Sequence, residues 1–171
     1  EKMAQRITDV CEGNPLVIKE LCRVLDGGGV ASPMELESVE ALLDSARGTE
    51  LPQVLIERRV ASLPPLERRV LEHLAMLKRP VQAALLIRCC GGSQSRLEDA
   101  LAQLQERGFV ASHVARDTVR YHIAHEIHMQ GIRALIRPEV ARDLQRELGE
   151  TLAADDRSQD PVRAFEVHEL L

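Results

Sequence analysis

Residues 65–123, PLERRVLEHLAMLKRPVQAALLIRCCGGSQSRLEDALAQLQERGFVASHVARDTVRYHI, decide the fold. Leu66, Val70, Leu71 and Leu74 recur at helical spacing and predict a helix over 66–77. Pro80 is expected to open a second helix carrying Ala84, Leu85, Ile87 and Cys89, which Gly91-Gly92 stops. Ser93 or Ser95 can cap a third, in which Leu97, Ala100, Leu101 and Leu104 stand at i, i+3, i+4 and i+7. Gly108 ends that helix. Two extended runs follow, 109–112 and 118–123; in the second, Val119, Tyr121 and Ile123 alternate with polar neighbours, so the pair reads as a hairpin turning across residues 113–117.

Three helices closed by a β-hairpin make a winged-helix arrangement, bounded here at residues 64–124. On its N-terminal side, Met3, Ile7 and Val10 predict one helix. Gly13 then Pro15 end it and start another, which carries Leu16, Val17, Leu21, Val24 and Leu25 and stops at Gly27-Gly28-Gly29. A weaker pattern suggests a short helix over 38–46. Pro52 opens a further helix with Val54, Leu55, Val60 and Leu63, broken at Pro64-Pro65. On the C-terminal side come a helix over 126–136 and one from Pro138, with Val140, Leu144, Leu148 and Leu152 every four residues. Residues 155–159 read as a solvated linker, and Asp160-Pro161 starts a last helix with Phe165 and Leu170. The expected organisation is mainly α: a helical subdomain and connector over 1–63, the winged helix over 64–124, and over 125–171 a helical linker that begins a helical repeat array. The chain opens at Glu1 inside a helical pattern, which reads as a segment of a longer protein.

Composition agrees with a helical chain. Apolar residues are 44% and charged residues 29%, which excludes disordered and collagenous classes, and no stretch reaches the length of a membrane span. Aromatics are only 2%, so the core must be Leu, Val, Ile and Ala, a mixture that favours helices over a sheet sandwich. The net charge of -5 is unevenly spread: residues 1–75 carry 9 basic and 13 acidic groups, residues 76–124 carry 7 and 4, and residues 125–171 carry 6 and 10. That central excess is slight for a nucleic-acid binder, whose affinity comes largely from phosphate neutralisation. If the winged helix did read DNA, its third helix, 95–105, would enter the major groove with Arg116 and Arg120 on the backbone. The charged groups there, Arg96, Glu98, Asp99 and Glu106, suit phosphates poorly.

Cys11, Cys22, Cys89 and Cys90 lack zinc-site spacing and read as reduced, buried thiols of a cytoplasmic protein. His122, His125 and His128 recur every three residues but straddle a strand and a helix, so no metal site is expected. Arg58-Arg59 and Arg68-Arg69 sit beside Glu57 and Glu67 and read as solvated ion pairs. The chain contains no Gly-x-x-x-x-Gly-Lys-Ser/Thr loop, no apolar strand ending in acidic residues, and no nucleophile elbow. No catalytic residue is assigned, and the chain by itself is not expected to be an enzyme.

Three stretches taken in order carry a family resemblance: ITDVCEGNPLVIKELCRVL (7–25), LPQVLIERRVASLPPLERRVL (51–71) and VRYHIAHEIHMQGI (119–132). Together they resemble the C-terminal part of the nucleotide-binding module of signal-transduction ATPases with numerous domains, the STAND class. The first is similar to that module's helix, Gly-Asn-Pro, helix element, the second to its connector into the winged helix, and the third to the end of the wing and the helix after it. The resemblance implies that Gly13, Asn14 and Pro15 close over a nucleotide and that His125 reaches the β-phosphate of bound ADP. On residues alone, the tripeptide reads first as a plain helix-to-helix turn, and His125 equally as a helix cap or a residue packed beneath the wing. Glu126 follows His125 where some members carry Asp.

The implied partners are an upstream nucleotide-binding domain and downstream helical repeats of the same chain, with oligomerisation on activation. The implied cofactor is ATP or ADP with Mg, in an intact parent rather than in this segment. The implied role is regulatory: the winged helix packs against the nucleotide domain in the ADP state and swings away on activation.

Overall fold

A computed structural model describes residues 2–11, 13–25, 51–115 and 117–154. The chain is mainly helical with a small antiparallel sheet, and it divides into two compact units, Glu1–Leu63 and Pro64–Leu171. The helix expected over 38–46, the linker at 155–159 and the helix after Asp160 lie outside the described residues.

In the first unit, α1 (Lys2–Val10), α2 (Pro15–Leu25) and α3 (Leu51–Ala61) form where the apolar spacing places them. α2 packs on α3. Cys11, Val17, Leu21, Leu51 and Leu55 make a buried cluster, with Ile7, Val10, Ile18 and Val54 against it. A buried ion pair crosses this core. Arg59 of α3 donates to Glu20 of α2, and both side chains are buried, while Arg23 donates to the other Glu20 oxygen at 3.1 Å.

The second unit is built around α4 (Pro65–Leu77). Its residues from Val70 to Leu77, Glu72 apart, are buried, because other elements pack on several of its sides. After it come β1 (Val81–Gln82), α5 (Ala83–Cys90), α6 (Gln94–Glu106), β2 (Val110–Ala115) and β3 (Thr118–Ile123). Ser93 caps α6, its hydroxyl accepting from the Arg96 amide at 3.4 Å. Gly108, at φ 74°, takes the left-handed conformation that ends α6 and turns the chain into β2, a conformation that costs glycine little. α7 (Glu126–Leu135) and α8 (Pro138–Ala154) complete the unit: both pack on α4, α7 also on β3 and α8 also on α5.

Two features differ from the sequence reading. The sheet has three strands in the order β1-β3-β2, not two. Val81 pairs with Tyr121 and Gln82 with Arg120, so the residues after Pro80 are extended and α5 starts only at Ala83. The β2–β3 ladder runs from Val110↔Ile123 to Ala115↔Thr118, so the hairpin turn is shorter than the 113–117 span expected from composition. Asp117, at φ 60°, takes the left-handed conformation that such a tight turn demands.

Of the two arginine pairs, Arg68-Arg69 forms exposed ion pairs as expected, though with partners other than Glu67, whereas Arg59 departs from the expectation. Arg59 turns inward to Glu20 instead of lying solvated beside Glu57. Arg68 pairs with Glu72 at 3.1 Å and Arg69 with Glu147 of α8 at 3.0 Å, while Glu67 is buried and receives Arg107 at 3.1 Å. Burial raises the Glu67 carboxyl above its ordinary range, with Arg107 pulling the other way. Cys11, Cys89 and Cys90 are buried free thiols, but Cys22 is exposed. Desolvation pushes the Cys90 thiol up to about 12, which makes it a poor nucleophile.

Candidate functional site

The Gly13-Asn14-Pro15 turn is built by two helix ends. The Gly13 amide donates to the Thr8 carbonyl at 3.1 Å and the Asn14 amide to the Cys11 carbonyl at 2.9 Å, closing the C-terminus of α1. Gly13 has φ 68°, the left-handed conformation the sequence assigns to it. Asn14 caps α2: its Oδ1 accepts from the Leu16 amide at 3.0 Å, and its carbonyl accepts from Ile18 at 3.1 Å. Pro15 takes the first helical position, where its missing N–H leaves nothing unsatisfied. All three residues are exposed, and a Cβ built on Gly13 would meet nothing within 4 Å. The turn is therefore rigid and open on the Gly13 side. A flat group could lie against it, with the Asn14 oxygen already committed to the helix.

His125 stands at the N-cap of α7 in extended backbone, φ -140° and ψ 143°. Its carbonyl accepts from His128 and Met129 at 3.0 and 3.1 Å, but its side chain does not cap the helix. The imidazole is exposed and lies edge-on to His128, ring centroids 5.3 Å apart. His128 is fully buried, its ring 5.4 Å from that of Phe109. Phe109 in turn accepts the Ala124 amide at 2.8 Å, which fixes the step from β3 into α7. His125 thus lies edge-on against the buried His128–Phe109 ring pair, with its own side chain exposed. An exposed imidazole N–H can donate to an oxyanion.

Gly13, Asn14 and Pro15 sit together in the first unit and His125 in the second. His122 meets His113 edge-on across the hairpin, ring centroids 5.4 Å apart. Among the described residues no cluster of His, Cys, Asp and Glu could hold a metal ion. Arg79, Arg88 and Arg120 all fall in the basic excess of residues 76–124, the one sequence signal they share; the spacing of residues points to Arg120 alone, and only as a contact to a nucleic-acid backbone. A scan against models of protein families and a search of curated proteins match nothing to this chain.

Proposed function

We propose that this chain is a non-catalytic regulatory segment of a STAND-type ATPase, in which residues 64–124 form a winged helix that couples nucleotide state to autoinhibition and assembly. The observation that carries the reading is the order of elements in the second unit. A helix, a short strand, two helices and a hairpin follow one another, and the short strand joins the hairpin on the β3 side. Ahead of them stands a left-handed glycine turn between two capped helices, and behind them an exposed, ring-braced histidine.

In this reading the parent's own phosphate-binding loop and Mg-binding carboxylates hold ATP or ADP and supply the phosphoryl chemistry. The residues of this chain complete the closed state. The Gly13-Asn14-Pro15 turn packs on the base or ribose, where the absent Cβ gives close approach, and His125 donates to a phosphate oxygen. Loss of the His125 contact frees the winged helix to move, which biases a two-state equilibrium toward the active arrangement. The partners are then the upstream nucleotide-binding domain and downstream helical repeats of the same chain, with further copies on activation.

The test uses the longer polypeptide that carries this segment together with its nucleotide-binding domain. His125→Ala should release fluorescent ADP about tenfold faster and raise basal activity, the scale of one charge-assisted hydrogen bond. A release rate equal to that of the unaltered protein overturns the assignment of His125.

A further inference from the structure

A cleft of about 100 Å³ opens on the second unit between β1, α5, β3 and the end of α8. Three arginines from three separate places line it: Arg79 just before β1, Arg88 of α5 and Arg120 of β3. Val81, Leu85 and Leu152 supply an apolar floor, and no described residue lining the cleft is acidic.

Arg120 is the decisive group. It lies on the central strand of the sheet, opposite Gln82 on one side and His113 on the other, so these side chains project from one face. Its Nε is buried and has no hydrogen-bond acceptor among the described residues. A buried guanidinium N–H without an acceptor is costly; the enclosed Nε does not itself open on the cleft, but an anion seated there would offset that cost by pairing with the guanidinium charge of Arg120, which lines it. Arg79 and Arg88 have interactions of their own and add positive potential at the rim.

The start of α5 converges on the same space. Gln82 stands at its N-cap in extended backbone and its side chain makes no capping hydrogen bond, while Gln82, Ala84 and Leu85 all line the cleft. A helix N-terminus that lacks a side-chain cap turns first-turn amides and the positive end of the helix dipole toward whatever sits in front of it. Ala84 is small, and Arg88 follows one turn later on the same side of α5, so the guanidinium has room to fold over a ligand.

From this geometry we infer that the cleft is a binding site for one tetrahedral phosphate group, a free phosphate dianion or a small phosphate monoester. Guanidinium groups pair with phosphate oxygens through parallel N–H donors, and a dianion matches the charge concentrated here better than a carboxylate does. The cleft holds a single such group. The exposed Glu98, Asp99 and Glu106 of α6 do not favour a polyanion such as a duplex backbone. This inference does not depend on the nucleotide reading of the Gly13-Asn14-Pro15 turn or of His125.

The test is a titration of the whole chain with inorganic phosphate at pH 7.5, with ionic strength held constant by sodium chloride, followed by ¹H–¹⁵N chemical shifts and by calorimetry. Saturable shifts are expected at the Arg120 Hε and at the amides of residues 83–85. Arg120→Gln should weaken binding about tenfold or more. Arg88→Gln, on an exposed helix face, should weaken it several-fold while leaving the unfolding curve in place, so the outcome is readable even if the Arg120 variant folds poorly. Titration with glycerol 3-phosphate separates the two sources: tighter binding than inorganic phosphate assigns the site to monoesters, equal or weaker binding to the free ion. Shifts reproduced by chloride alone, or a titration unchanged in both variants, overturn the proposal. So does a 20-base-pair duplex that binds with steep salt dependence through the same arginines while inorganic phosphate does not bind.

Discussion

Glu20 and Arg59 lie 39 residues apart in sequence and meet in the core of the first unit, where Arg59 is 6% and Glu20 3% exposed. A charge in that setting has lost nearly all its water, so the pair holds only while each partner answers the other. Arg59→Met would take the buried guanidinium away from the Glu20 carboxylate, and should cost about 3–5 kcal/mol in urea unfolding followed by circular dichroism. The double variant Glu20→Leu/Arg59→Met removes both charges and should recover most of that loss. A double variant no more stable than the single one would mean that the pair is not coupled. The pairing was partly legible. Leu51, Leu55 and Arg59 stand at i, i+4 and i+8, and Glu20 falls between Val17, Leu21 and Val24, so each charge interrupts an apolar stripe. Reading Arg58-Arg59 as a solvated couple beside Glu57 gave weight to sequence neighbours where helical phase was the better guide. At the candidate nucleotide contact the reverse held: the left-handed Gly13 and first-turn Pro15 follow from residue type, because glycine takes a positive φ at little cost and proline's fixed φ and missing N–H suit a first helical turn.

Among the elements, helices were the readable ones, since a 3.6-residue period repeats often enough within 11 or 13 residues to be recognised. β1 was not, because two residues carry no period; Val81 and Gln82 become a strand only by pairing with β3, far along the chain. The β2–β3 hairpin brings His113 and His122 onto one face with Arg120, another consequence of register that composition does not reveal. Burial, and then the nearby His113, lower the His122 pKa below its ordinary 6.5. The folded state therefore binds the His122 proton less readily than the unfolded chain does. The stability this contributes is fully present above pH 6.5 and is lost as pH falls through 6.5 and on through the lowered folded value. Urea midpoints between pH 7.5 and 5 should accordingly fall faster for the unaltered chain than for His122→Gln. Parallel midpoints across that range would remove His122 from the pH response. Replacing His113 with Ala should shift the His122 titration upward by NMR, because one of the two causes of its depression is then gone.

For the chain as a whole, the least legible feature was how α7 and α8 belong to the second unit. The spacing of Leu144, Leu148 and Leu152 identifies an amphipathic helix but not its partner, and sequence order alone suggested a linker leading into a helical array. In the structure these leucines are buried, and α8 lies on α4 and α5. Glu147 beside them accepts from Arg69 at 3.0 Å and stands 3.6 Å from the Nε2 of buried His73. The core around α4 is thus closed on one side by residues more than seventy positions downstream, as the 78-residue separation of Arg69 and Glu147 records. If α8 is integral in this way, a defect in it must be felt by the whole unit. Leu148 is 0% exposed, and Leu148→Ala removes its buried side chain and leaves a cavity, at a cost of about 2–5 kcal/mol. Hydrogen exchange should then show protection falling together in α4, α5 and α8, because the opening that exposes the cavity is the cooperative unfolding of the unit. Loss of protection confined to residues 138–154, with α4 unchanged, would instead make α8 an appendage whose packing contributes nothing to the core it covers.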